Sequence, residues 1–140
     1  MNVKHSKTLP AVLGCVLSAA ALDCGARPPA GAAPAAPRFE TRCGWFSNPT
    51  PANISLYDRD GDWTVGVQGG YQVEGDWPWP KFKPGQWVET NGSHGYGCVC
   101  MRLRVDRESG RVLEIKSARA RPLSVCARDR SLKKWKRVLE

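Results

Sequence analysis

The sequence predicts a β-rich or all-β domain: a small curled antiparallel sheet or open barrel with a short C-terminal helix, held by two disulfides. Three observations predict it. Apolar residues alternate along several short runs bounded by Gly, Pro, Asn and Asp. Cys43, Cys98, Cys100 and Cys126 are an even, well-spaced set in the body of the chain. The aliphatic content of that body is lean, although all 6 Trp and all 3 Tyr fall within it and add large buried areas.

Ahead of the body lies a segment with the marks of an export signal. Lys4, His5 and Lys7 supply a basic start, and Leu9 to Leu22 is uncharged and greasy up to Asp23. That run suits a signal peptide over residues 1–26, with cleavage between 21 and 32, and is too short to span a bilayer. Cys15 follows Val12, Leu13 and Gly14 in the manner of a lipobox, so lipid anchoring is the second reading. It is disfavoured because the apolar run continues past Cys15, and because Asp23 is the wrong size and charge before Cys24. Residues 27–38 are a Pro/Ala/Gly tether with nothing to bury. Residues 39–140 form the folded domain.

Within that domain, Ile54 to Tyr57 and Trp63 to Val67 read as strands around Asp60 and Gly61, a pair suited to the positive φ angles of a tight hairpin. Tyr71 to Glu74 reads as a further strand after a bulge at Gly69 and Gly70. Trp77 to Gly85 is proline-stiffened loop, Gln86 to Glu89 a strand, and Asn91 to Gly95 a turn. Gly97 to Val105 carries the clearest pattern. Val99, Met101, Leu103 and Val105 point one way, and Cys98, Cys100, Arg102 and Arg104 the other. Gly110 suits a left-handed turn position before a returning strand from Val112 to Ile115. Leu132, Trp135, Val138 and Leu139 recur at helical spacing.

Strand geometry also constrains the sulfurs. Residues two apart in a strand have Cα atoms roughly 6.5–7 Å apart and diverge, so Cys98 and Cys100 should each pair elsewhere, one with Cys43 and the other with Cys126. Which takes which stays open. Either arrangement closes long loops, and each bridge contributes on the order of 4 kcal/mol on a chain-entropy model. A zinc reading fits poorly, because C-x-C with two distant single cysteines is not a knuckle and an oxidising compartment removes thiolates. No metal or cofactor site is expected.

Arg42-Cys43-Gly44-Trp45-Phe46, together with Asn48 to Pro51, Asp58 to Trp63, Gln68 to Tyr71 and Gly95 to Cys100, resembles a bacterial family of uncharacterised secreted proteins marked by an RCGW motif, domain of unknown function 4087. The resemblance runs from about Thr41 to Asp129. It implies a bacterial envelope or secreted protein with a signal sequence, and it implies no activity.

Candidate chemistry is sparse. Asp58, Asp60 and Asp62 alternate, but Trp63 and Gly69 stand where a calcium loop needs Gly and an acid, so a solvated turn is expected. His94 is the body's only histidine and has no nucleophile motif beside it. Trp77 and Trp79 sit between prolines, a stiff aromatic loop able to stack on sugar or proline-rich peptide. Trp45, Trp63 and Trp87 are assigned to the core. Charge is uneven: residues 38–100 hold 5 Lys/Arg against 7 Asp/Glu, and residues 101–140 hold 13 against 5. Arg102, Arg104, Arg119 and Arg121 alternate on strands and should present a basic face.

The favoured expectation is therefore a non-enzymatic module of the periplasm or exterior that binds an anionic envelope polymer, a glycan or a protein. Trp77 and Trp79 would serve for stacking and the four arginines for charge. Specific nucleic-acid recognition is not expected, only phosphate contact. One alternative is a secreted inhibitor or accessory protein that blocks an enzyme through the Trp77 to Pro84 loop or the Asn91 to Gly95 turn. Another is an enzyme using His94 with Asp58, Asp60 or Glu89.

Overall fold

The computed structural model describes residues 37–140; the leader, most of the tether, Cys15 and Cys24 lie outside the described residues. Six strands form one sheet: β1 (Glu40–Thr50), β2 (Asn53–Tyr57), β3 (Asp62–Gly66), β4 (Trp87–Asn91), β5 (His94–Asp106) and β6 (Arg111–Arg121). The chain ends in α1 (Leu123–Arg128), a 3-10 turn (Arg130–Trp135) and α2 (Lys136–Leu139). Strand order is β1-β2-β3-β6-β5-β4, and β1 also pairs with β5, so five strands close into a ring. All pairings are antiparallel except β3 with β6, a parallel contact at Thr64 and Arg111. Such connectivity is that of an OB-type Greek-key barrel, a frame that hosts many unrelated functions.

β1 is the strand that closes the ring, and sequence reading did not find it. The reason is physical. Its inward positions include Arg42 and Gly44, which break an apolar alternation, and Pro49 sits near its end. By contrast β5 has the alternation expected of it: Val99, Met101, Leu103 and Val105 are buried inside the barrel. They pack with Phe46, Ile54, Leu56, Trp63, Val65, Val73, Val112 and Ile115 as the inner core. β6 runs longer than the expected Val112 to Ile115. Two register shifts against β5 leave Leu113 and Lys116 unpaired as bulges, which bend the strand around the barrel.

A second, smaller core lies outside the barrel. Trp45 and Cys98 on the outer sheet face are covered by Cys126, Leu132 and Leu139, with Tyr57, Tyr96, Leu123 and Trp135 packed around them. The short C-terminal helix expected over Leu132 to Leu139 is present as a 3-10 turn running into α2, with α1 ahead of it. Leu132 and Leu139 are buried and Val138 is exposed, so helical periodicity fails at that position.

The disulfides resolve the open pairing. Cys43 bridges Cys100, its direct neighbour across β1 and β5, with Cα atoms 4.0 Å apart. Cys98 bridges Cys126 at a Cα separation of 5.8 Å and ties α1 to the sheet. Three further expectations are corrected. Tyr71 to Glu74 is not a strand; it meets the end of β3 at one bridge between Gly66 and Gln72, flanked by Val67 N donating to Tyr71 O at 2.7 Å and Val73 N donating to Val65 O at 2.9 Å. Gly61 does not take positive φ, because β2 and β3 are joined by the four residues 58–61 rather than by a two-residue turn. Gly69 serves a turn closed by Gly70 N donating to Val67 O, rather than a bulge. Gly110 has the left-handed φ of 68° expected of it.

Peptide mapping under non-reducing conditions should recover Cys43 linked to Cys100 and Cys98 linked to Cys126. A crossed pairing, Cys43 with Cys98, would contradict this register.

Candidate functional site

The most elaborate polar cluster sits at the β1 start. Arg42 points inward and is buried; its guanidinium is bonded to the buried Asp58 carboxylate and reaches Glu40 and Asp60 at 3.0 Å each. The Arg42 guanidinium also stacks over the Trp63 ring, 4.1 Å from its centroid. Asp58 accepts in addition from the backbone N–H groups of Asp60 and Gly61, at 2.7 and 2.9 Å. Burial alone would raise the Asp58 pKa. The Trp63 indole N–H, close by but without a hydrogen bond of good geometry, the Arg42 cation and the two backbone donors outweigh it and hold the carboxyl below its ordinary value. In the same way burial opposes the Arg42 charge, and the paired Asp58 more than restores it.

The C-terminal segment locks this loop from outside. Trp135 Nε1 donates to Asp58 O at 2.7 Å, and Lys134 Nζ donates to Arg59 O at 2.9 Å. Asp58 is thus a buried structural anion, not the solvated turn residue expected. Its neighbours in β1 are equally constrained. A Cβ on Gly44 would collide with the Tyr57 carbonyl, so only glycine lets β2 approach. Trp45 covers the outer core.

The four predicted arginines do share one outer face of β5 and β6. Arg119 lies opposite Cys100, Arg121 opposite Cys98, and Arg102 opposite Ser117. Arg104 is bonded to Glu114 at 2.7 Å. Among the described residues, Arg102, Arg119 and Arg121 have no carboxylate within bonding range. Lys116 lies over the Phe39 ring at 4.2 Å and adds charge to the same face.

The tryptophans lie elsewhere, at the barrel end near Phe46. Phe46 is fully buried and meets Trp79 edge-on at 5.1 Å and Trp77 at 6.4 Å. Trp77 is half-buried, whereas Trp79 is 44% exposed. Trp87 is half-buried and packs on Phe82 with ring centroids 4.7 Å apart. Trp45 and Trp63 are buried as expected. His94, at the β4–β5 turn, faces the Asn48 end of β1, while Asp58 and Asp60 surround Arg42 near the other end. No carboxylate among the described residues lies within salt-bridge range of His94.

The family described as protein of unknown function, DUF4087, matches residues 37–133, a span that holds the whole barrel and most of the C-terminal turns. The chain belongs to the DUF4087 family. No curated protein and no solved structure matches it. For this DUF4087 member, sequence reading missed Arg42 as a buried ion-pair residue. Once β1 is recognised as a strand, the signal is simple: Arg42 shares the inward face of Phe46 two pleats away.

Asp58→Asn should lower stability at neutral pH by roughly 1.5–3 kcal/mol, because Arg42 loses its buried carboxylate partner and keeps only the more exposed Glu40 and Asp60. The sign of the pH effect follows from the depressed Asp58 pKa. Its contribution is full above the ordinary carboxylate value of 3.8 and is lost as pH falls through the lower folded value. Urea unfolding across the acid range should therefore show a steeper loss for wild type than for the variant. Equal slopes would contradict the assignment.

Proposed function

We propose that this protein is an exported, non-catalytic binding module that grips an anionic polymer through the outer face of β5 and β6. The observation that carries the reading is the grouping of Arg102, Arg119 and Arg121 on one rigid face without carboxylate partners among the described residues. Neighbouring Arg104 is already paired with Glu114 through one terminal nitrogen and is less available than the other three.

Because paired strands fix the backbone, docking a polyanion orders only the arginine side chains and no loop. The basic half of the sequence supplies a long-range field that draws such a polymer in. Two disulfides support export, because such bonds persist in oxidising compartments. Among the described residues, no helix is long and apolar enough to cross a membrane. Acidic glycans and phosphate-bearing envelope polymers share the needed chemistry, a repeating anion that guanidinium forks can meet in pairs.

Retention on immobilised heparin should be strong at low salt and lost at high salt. Arg119→Glu combined with Arg121→Glu should abolish retention while leaving both disulfides and the β-rich circular dichroism intact. Retention indifferent to salt, or unchanged in that variant, would overturn the reading.

A further inference from the structure

We infer that the groove beside Trp79 is a second binding site, for a neutral saccharide, separate from the arginine face. The segment between β3 and β4 crosses one end of the barrel and is pinned there. Pro80 is fully buried, and a Cβ on Gly97 would strike Phe82, so β5 and this segment are in close contact. Lys83 to Gln86 forms a turn closed by Gln86 N donating to Lys83 O at 3.0 Å, with Pro84 at its second position and Gly85 at φ 79° in its third. The Gln86 side chain returns the contact, accepting from Lys83 N at 3.0 Å. The loop is therefore preorganised.

Between this turn and β4 runs an open groove of about 710 Å³, lined among others by Trp79, Phe82, Lys83, Trp87, Glu89 and Ser93. That volume lies within the range of small-molecule sites, roughly 300–1,000 Å³. Two indole rings with solvent access, Trp79 and Trp87, provide flat apolar surfaces. Glu89 and Lys83 provide an acceptor and a donor, and among the described residues neither is held in an ion pair.

A pyranose presents this same combination, an apolar C–H face that stacks on indole and a rim of hydroxyls that both donate and accept. One positive and one negative group give the lining no net charge, which favours a neutral sugar over the polyanion suited to the arginines. A proline-rich peptide is the competing occupant. It is read by aromatic grooves with indole N–H donors free for peptide carbonyls. Here Trp87 Nε1 is already committed to Ser93 O at 3.2 Å, which leaves one lining indole N–H, that of Trp79, beside two charged groups, Lys83 and Glu89, suited to hydroxyls.

The test is an NMR titration of the indole N–H signals of the full chain with cellotetraose, with the tetramer of N-acetylglucosamine, and with a proline-rich decapeptide, each at low and high salt. At least one tetrasaccharide should shift the Trp79 and Trp87 signals saturably, with the same affinity at both salts. Trp79→Ala should weaken that binding by about tenfold or more. Glu89→Gln, at an exposed position that leaves the fold untouched, should weaken it by several-fold. Arg119→Glu with Arg121→Glu should leave it unchanged, which separates this site from the polyanion face. The inference fails if neither sugar moves those signals, if only the peptide does, or if binding survives both Trp79→Ala and Glu89→Gln.

Discussion

The structure depends on β1 being paired along both edges at once. It joins β2 through Trp45, Phe46 and Ser47, and it joins β5 from Glu40 to Asn48, and only this double pairing turns a curled sheet into a ring. Each residue of its first half has a separate task imposed by the pleat. Arg42 faces inward to Asp58, Cys43 faces outward to Cys100, Gly44 clears the Tyr57 carbonyl, and Trp45 supports the outer core. Four adjacent residues thus serve four different contacts, and one of them, the Cys43–Cys100 bridge, lies on the same outer face as Arg102 and Arg119.

Lean aliphatic content explains why so many devices converge there. A barrel interior filled by one aliphatic or aromatic residue per inward position has little to spare, and the polar Arg42 occupies one of those positions. A buried ion pair is a weak source of net stability; what it supplies here is a fixed geometry between the β1 start and the β2–β3 connection. The Cys98–Cys126 bridge does comparable work for the C-terminal pieces. Those pieces are too short to be helical alone and are held by Leu132, Leu139 and the Trp135 bond to Asp58. Inner core, outer core and buried ion pair therefore meet at the same loop.

How much of this was legible in the sequence varies by element, for physical reasons. β5 was legible because its inner face is apolar throughout from Val99 to Val105, and that same alternation placed Cys98, Cys100, Arg102 and Arg104 on the outside. The shared face of Arg119 and Arg121 was legible likewise. β1 was not, because a buried arginine and a glycine occupy inward positions. Tyr71 to Glu74 resembled a strand but finds only fragmentary pairing, its Tyr71 hydroxyl donating instead to Val112 O at 2.6 Å. The groove residues Lys83, Glu89 and Ser93 carry no local signal; they come together only because the proline-stiffened segment folds over the barrel end. Trp79 was legible as loop-borne aromatic surface, while Trp77 turned out to be packed against the core.

The two candidate surfaces then follow from one rigid frame: arginines on the outer sheet face, and tryptophans with Lys83 and Glu89 at the barrel end. Native-state hydrogen exchange can decide whether β1 closes the ring. The amides of Trp45, Phe46 and Ser47, held between two neighbours, should exchange only through global unfolding and match the slowest amides of β5. If those three amides exchange through local opening while β5 and β6 stay protected, the ring is not closed through β1 and the account is wrong.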